Sequence, residues 1–290
     1  MMTEPRFDQV QCLSPAGLHN VAYTEWGESD NPKVLMCVHG LTRSGRDFDS
    51  LARALCRDYR VICPDVVGRG RSSWLRDPQH YAIPQYVADM VTLVARLKPH
   101  TLHWLGTSMG GLIGMAYAAL PDTPISKLVL NDVGPVLSAS ALARIGEYVG
   151  TEPSFDSFEA GVTAVRTISA TFGRFSDSEW RDIASHVLIE QDGRWKFHYD
   201  PGIAVGFKQS ASQGDILLWP MYDAVRCPTL AIRGVESDLL LPDTHAEMGR
   251  RGPKAELVEF PECGHAPMLM HEEQIQGVKN FLLKEQEWRS

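Results

Sequence analysis

Ser108 stands in Gly106-Thr107-Ser108-Met109-Gly110, after an apolar run from Thr101 and before a small-residue segment that ends ahead of Pro121. Strand, tight turn, helix is the context in which a serine at the apex becomes chemistry. Small residues two before and two after it let a strained turn close, and the following helix N-terminus favours developing negative charge. Ser108 is therefore the candidate nucleophile. A serine hydroxyl is a weak nucleophile at neutral pH, so it needs a base within hydrogen-bond reach and a carboxylate to orient that base. Among ten histidines, His265 in Glu262-Cys-Gly-His-Ala-Pro267 has the fitting context: a glycine- and proline-punctuated loop after the last strand-like run. Others, such as His103 and His19, fall inside strands.

Two carboxylates follow strand-like runs and compete for the orienting role. Asp238, in Arg233-Gly-Val-Glu-Ser-Asp238, completes the chain order Ser, Asp, His and is favoured; Asp132, directly after the run 126–131, is read as a turn or helix cap. A tetrahedral oxyanion needs two donors. The backbone N–H of Met109 supplies one, and the N–H of Leu41, in the loop after the run ending at Val38, supplies the other. His39 is read as shaping that loop by hydrogen bonding, with a catalytic role as its alternative, and Arg43 as a solvated charge, with binding of a substrate carboxylate as its alternative. No metal or organic cofactor is required.

Positioning these residues asks for strands that end together. Residues 17–26 alternate as a half-buried strand does, while Val34 to Val38 and Tyr59 to Cys63 are continuous apolar runs of the kind covered on both faces. Helical spacing predicts helices over 45–57 and 84–97, a strand over 126–131, strands again at 229–233 and 256–260, a helix near 243–251 and a last one over 271–287. From Pro135 to about 219 the sheet pattern lapses into amphipathic helix, including one over 155–172, and a hairpin-like stretch over 187–199. That segment reads as an inserted lid. Its aromatics, Phe155, Phe158, Phe172, Trp195, Phe197 and Tyr199, are read mainly as lid core, with an acyl pocket as their alternative use.

The composition is 44% hydrophobic and 22% charged over 290 residues, enough for a large core. A net charge of −8 with no basic run excludes nucleic-acid and anionic-membrane partners as expectations. Without a basic and apolar leader or a run of spanning length, the expected location is cytoplasmic. Six dispersed cysteines without a C-x-x-C pair read as reduced thiols.

With the serine turn, the His39-Gly40 loop, the loop Asp65-Val-Val-Gly68-Arg-Gly70-Arg-Ser72, Asp238 and His265 in order, residues 17–287 resemble the α/β-hydrolase superfamily. The resemblance implies an eight-stranded, mostly parallel α/β sheet flanked by helices, with a helical cap inserted after the sixth strand. The core would then be residues 1–134 and 220–290 and the cap 135–219. It also implies a serine hydrolase of small to medium carboxylic esters acting through an acyl-enzyme, similar to capped esterases, lactonases and intracellular polyester-oligomer hydrolases. Serine at 108 separates the chain from the superfamily's aspartate-nucleophile enzymes. The loop Leu41-Thr-Arg-Ser-Gly45 and Ala266 after the histidine differ from the carbon–carbon bond hydrolases, so ester hydrolysis leads. A lactonase, a carbon–carbon hydrolase or a ligand receptor on the same fold are the alternatives. The Asp65 loop is structural in the superfamily.

Overall fold

The computed structural model describes residues 4–211 and 214–284. Eight strands form its main sheet: β1 (Arg6–Ser14), β2 (Gly17–Trp26), β3 (Lys33–Val38), β4 (Arg60–Pro64), β5 (Thr101–Thr107), β6 (Ile125–Asn131), β7 (Thr229–Gly234) and β8 (Glu256–Phe260). Their spatial order is β1-β2-β4-β3-β5-β6-β7-β8. β1 and β2 form an antiparallel hairpin and β2 runs antiparallel to β4, whereas every other neighbouring pair is parallel. All the parallel strands end at one edge, which is where such sheets bind ligands.

The continuous apolar runs become the central strands because both faces are covered. Along β3, Val34, Met36 and Val38 enter one core while Leu35 and Cys37 enter the other. Helices α2 (Ile83–Leu97) and α3 (Met109–Ala118) cover the first face; α1 (Asp49–Leu55) and α10 (Glu272–Leu283) cover the second. Burying each such side chain stabilises by about 1.5–3 kcal/mol, so the strands nearest the site are also among the most firmly held. α9 (Pro242–Met248) joins β7 to β8.

Between β6 and β7 lie α4 (Ala139–Gly146), α5 (Phe158–Ile168), α6 (Asp177–Ser185), α7 (Ala204–Ala211) and α8 (Trp219–Ala224). The same segment holds a hairpin of Leu188–Gln191 and Arg194–Phe197, extended by Ser154–Phe155 into a small three-stranded sheet. It has its own apolar cluster around Val165, Trp180 and Ile183. Among the described residues, no helix is long and apolar enough to cross a membrane, and all six cysteines are free.

Several expected elements have different bounds. β1 was not expected: most of its side chains are exposed, so it carries little apolar signal. The helix expected over 45–57 is a 3₁₀ turn, Gly45–Phe48, followed by the seven-residue α1. The one expected over 155–172 ends at Ile168, and a separate 3₁₀ turn, Ala170–Phe172, follows Ser169. The last helix ends at Leu283, and the part expected beyond residue 284 lies outside the described residues.

Candidate active site

Ser108 sits between β5 and α3 with φ 52° and ψ −116°, a conformation that costs an L residue about 1–3 kcal/mol unless its surroundings enforce it. They do. Its N–H donates to Asn131 O (3.0 Å), and its carbonyl accepts from the N–H groups of Gly111 (2.9 Å) and Leu112 (3.1 Å). A Cβ on Gly106 would overlap Gly110 O, and one on Gly110 would overlap Val38 O. Those two glycines let β5, α3 and the end of β3 approach closely enough to hold the strained serine.

The Ser108 hydroxyl lies 2.9 Å from His265 Nε2, and His265 Nδ1 lies 2.7 Å from Asp132 Oδ2. A carboxylate accepts only, so Nδ1 carries the hydrogen and Nε2 is free to accept from the serine. The Asp132 carboxylate, fully buried, also accepts from Gly234 N–H at Oδ1 (2.9 Å) and from the Ser237 hydroxyl at Oδ2 (2.6 Å). Asn131 Nδ2 donates to both Thr107 Oγ1 (2.9 Å) and Pro267 O (2.8 Å), tying the serine turn to the histidine loop. Thr171, from the segment between β6 and β7, grips the same loop. Its hydroxyl donates to His265 O (2.8 Å) and its carbonyl accepts from Gly264 N–H (2.6 Å).

Asp238, expected at Nδ1, is not there. Its carboxylate forms a two-pronged ion pair with Arg144 of α4 (2.6 and 2.8 Å) and its side chain is 47% exposed. Burial alone would raise its carboxyl, but the Arg144 guanidinium overrides this and holds it below the usual range. The physical reason is the strand order. β6 lies between β5 and β7, so Asp132 at its end is flanked by Ser108 on one side and by the β7 loop on the other. That loop turns Ser237 inward as a donor, which leaves the next residue, Asp238, facing out. Chain order suits either aspartate and could not distinguish them.

Gly40 and Leu41 lie beside the serine, a Gly40 Cβ falling 3.7 Å from Ser108 Cβ. Among the described residues, the N–H groups of Leu41 and Met109 make no hydrogen bond, so both are free for an oxyanion. His39 is neutral: Nδ1–H donates to Gly40 O (2.7 Å) and Nε2 accepts from Val66 N–H (2.9 Å), while burial drives its pKa down to about 4. Behind both free amides lies Arg69, 0% exposed. Its Nε donates to Leu41 O (2.8 Å), Nη1 to Val67 O (2.7 Å) and Tyr86 Oη (3.0 Å), and Nη2 meets Met109 Sδ (3.5 Å). Sequence reasoning passed over this arginine. Its signal was a cation between two glycines in a loop otherwise read as structural. Arg43 is not a solvated charge: it is buried, forms a double hydrogen bond with Asp47 (2.8 and 2.6 Å) and lies over the Phe172 ring.

These groups wall a small cavity of about 60 Å³ that contains Ser108, His265, Leu41 and Arg43. Its other wall comes from the segment between β6 and β7, through Arg144, Tyr148, Ile168, Phe172 and Phe197. Of the aromatics singled out in the sequence, Phe172 and Phe197 thus reach the cavity. Phe155, Phe158 and Trp195 pack in the segment's own cluster and Tyr199 in the main core. One group of metal-ligand type exists among the described residues, Cys12, His19 and Asp89, at the β1–β2 hairpin and α2. There His19 Nε2 and Asp89 Oδ1 already engage each other at 3.0 Å, and nothing links them to the serine.

The alpha/beta hydrolase family profile matches residues 35–276. The chain is 52% identical to a 3-hydroxybutyrate-oligomer hydrolase of Cupriavidus necator, over 97% of this chain and 99% of that one. An alpha/beta hydrolase structure from Novosphingobium aromaticivorans superposes with a TM-score of 0.85 at 35% identity, covering 97% of this chain and 99% of that one. A solved structure from Rickettsia typhi gives 0.89 at 30% identity, covering 98% and 100%. A serine turn, strand order and full-length likeness of this kind have one reading: the chain belongs to the alpha/beta hydrolase family.

Proposed function

We propose that this protein hydrolyses the ester bonds of short linear 3-hydroxybutyrate oligomers, with Ser108 as nucleophile, His265 as general base and acid, and Asp132 as the orienting carboxylate. It is a carboxylic ester hydrolase of its family. The observation that carries the mechanism is the pair of hydrogen bonds, 2.9 and 2.7 Å, running from Ser108 through His265 to Asp132. The substrate class rests on the full-length relative at 52% identity.

In the first step Ser108 Oγ bonds to the ester carbonyl carbon as its proton passes to His265 Nε2, and the carbonyl electron pair moves onto oxygen. The free N–H groups of Leu41 and Met109 receive that oxyanion. Asp132 keeps the ring oriented and stabilises the imidazolium. Collapse expels the hydroxyl-bearing fragment, which takes the proton from His265 and leaves an acyl-serine. Water then loses a proton to His265 as it adds to the acyl carbon, and a second collapse releases the acid fragment and returns the proton to Ser108. Phe172 and Phe197 limit water around the reacting atoms, which strengthens each of these interactions.

The test is chromatographic assay of trimer hydrolysis alongside p-nitrophenyl butyrate, in wild type and Ser108→Ala. Wild type is expected to cleave both, and Ser108→Ala to lose about 10⁴-fold or more in kcat. Turnover retained by Ser108→Ala sinks the nucleophile assignment. Turnover of the nitrophenyl ester with an inert trimer sinks the substrate class and leaves the mechanism.

A further inference from the structure

A second cavity, larger than the one at Ser108, does not contain Ser108. It is a cleft of about 500 Å³ between the loop after β4 and the segment joining β6 to β7. Gly70, Arg71, Ser72 and Trp74 form one wall; Thr151 to Pro153 and the hairpin with the strands Leu188–Gln191 and Arg194–Phe197 form the other. Two backbone bonds brace it, Gly70 N–H to His198 O (2.9 Å) and Asp200 N–H to Gly68 O (2.8 Å). Ile189, Gln191 and the run Lys196 to Tyr199 line the cleft, whereas Trp195 packs on Phe158 of α5.

The chemistry of that lining is specific. Among the described residues neither Lys196 nor Arg71 forms a side-chain ion pair; Arg71 lies 4.2 Å over the Phe7 ring, and its charge also acts on the buried Asp65. His198 is half-buried, its imidazole kept neutral by burial. Glu152 is the one acid in the wall, so the cleft carries a net positive charge in a chain whose total is −8. On the wall of Arg71 and across the cleft from Lys196 stands Trp74, 55% exposed, a large apolar surface. A cation on each wall beside an exposed apolar ring suits a ligand with a carboxylate at one end and a methyl-bearing chain behind it. Phe197 lines both this cleft and the cavity of Ser108, so the two spaces meet at that residue.

We propose that this cleft is a distal subsite that holds the carboxylate-terminal end of a linear hydroxyacid oligomer, with Arg71 and Lys196 taking the carboxylate and Trp74 the chain, while the scissile ester lies across Phe197 at Ser108. The fragment in the cleft is then the one released with the new hydroxyl, and the acyl fragment stays on the serine. The identity of the chain rests on the substrate reading above; the anion selectivity rests on the cleft alone.

Two measurements test it. The first compares kcat/KM for the trimer as free acid and as methyl ester, at pH 7.5, in wild type, Arg71→Ala, Lys196→Ala and the double variant. Wild type is expected to favour the free acid roughly five- to tenfold, a preference that high salt weakens and the double variant erases. Equal use of acid and ester by wild type, or a preference unchanged in the double variant, overturns the subsite. The second is calorimetric binding of the trimer acid to Ser108→Ala and to Ser108→Ala/Lys196→Glu. If wild type cleaves p-nitrophenyl butyrate but no oligomer, the substrate reading falls. Lys196-dependent binding then still supports an anion subsite, and absent or Lys196-insensitive binding overturns it.

Discussion

The Ser237 hydroxyl donates, at 2.6 Å, to Oδ2 of Asp132, the same carboxylate oxygen that accepts from His265 Nδ1 at 2.7 Å. A residue 105 positions along the chain thus helps fix the carboxylate that meets the imidazole. Asp132→Asn replaces an acceptor with a group that can also donate, which favours the wrong tautomer of His265. A loss of about 10³- to 10⁴-fold in kcat is expected, with the fold intact by circular dichroism. Asp238→Asn removes only a partly exposed ion pair with Arg144 and is expected to cost less than about tenfold. The reverse ranking in a side-by-side ester assay would return Asp238 to the role. Ser237→Ala should fall between them, at roughly tenfold, through lost orientation of Asp132.

Arg69 is a buried guanidinium with no carboxylate partner among the described residues, lying between Leu41 O and Met109 Sδ. Its charge lies against the two residues whose N–H groups are free, and its hydrogen bond to Leu41 O fixes the peptide next to the free Leu41 N–H. Arg69→Met is expected to lower kcat by about 10- to 100-fold while KM changes little, because the interaction is stronger in the transition state than with bound ester. It also strips donors from Leu41 O and Val67 O, each at about 1–3 kcal/mol, so urea unfolding should show a lower midpoint. Arg69→Lys should recover part of kcat. If stability drops and kcat does not, the arginine is a brace for the loop and nothing more.

The serine turn depends on two close backbone approaches rather than on any side chain. Gly110→Ala should cost more than about 3 kcal/mol or leave the protein insoluble, since the new Cβ meets the Val38 carbonyl of the central sheet. Gly146→Ala at the end of α4 is the matched control: its nearest neighbour would be Phe207 at 3.6 Å, and helix propensity predicts a change within about 1 kcal/mol in the stabilising direction. Equal urea midpoints for the two variants would show that the turn tolerates a Cβ.

Ser108, His265 and the central strands were legible in the sequence because each has a local signature: small residues around an apex serine, a punctuated loop after a strand, apolar runs bounded by turns. The orienting aspartate was not, since Asp132 and Asp238 follow strands that look alike in sequence. What separates them is Ser237 and Gly234 on one side and Arg144 on the other, contacts spanning 94 to 105 residues. β1 escaped notice because its outward face is solvated and its pairing with β2, not its own pattern, makes it a strand. Arg43 looked like a surface charge because its partner Asp47 and the Phe172 ring that covers it come together only in the fold.

Acid stability follows from histidines that burial keeps neutral. Burial takes the pKa of His39 down to about 4 and that of His103 to about 3, from 6.5, with the charges of Lys127 and Lys33 adding to the second. Both folded values lie below the unfolded one, so between pH 6.5 and 4 the unfolded chain binds more protons than the folded chain. Stability is therefore fully present above pH 6.5 and is lost as pH falls towards the folded pKa values. For His39 alone the loss between pH 7 and 4.5 is about 2–3 kcal/mol, counted at 1.36 kcal/mol per pKa unit. Gln in its place does not titrate. Urea unfolding of wild type and His39→Gln at both pH values should show a drop smaller by that amount in the variant, even though the variant is less stable at pH 7. The same drop in both proteins would mean that His39 titrates in the folded chain as it does in the unfolded one, and that other groups carry the acid sensitivity of the fold.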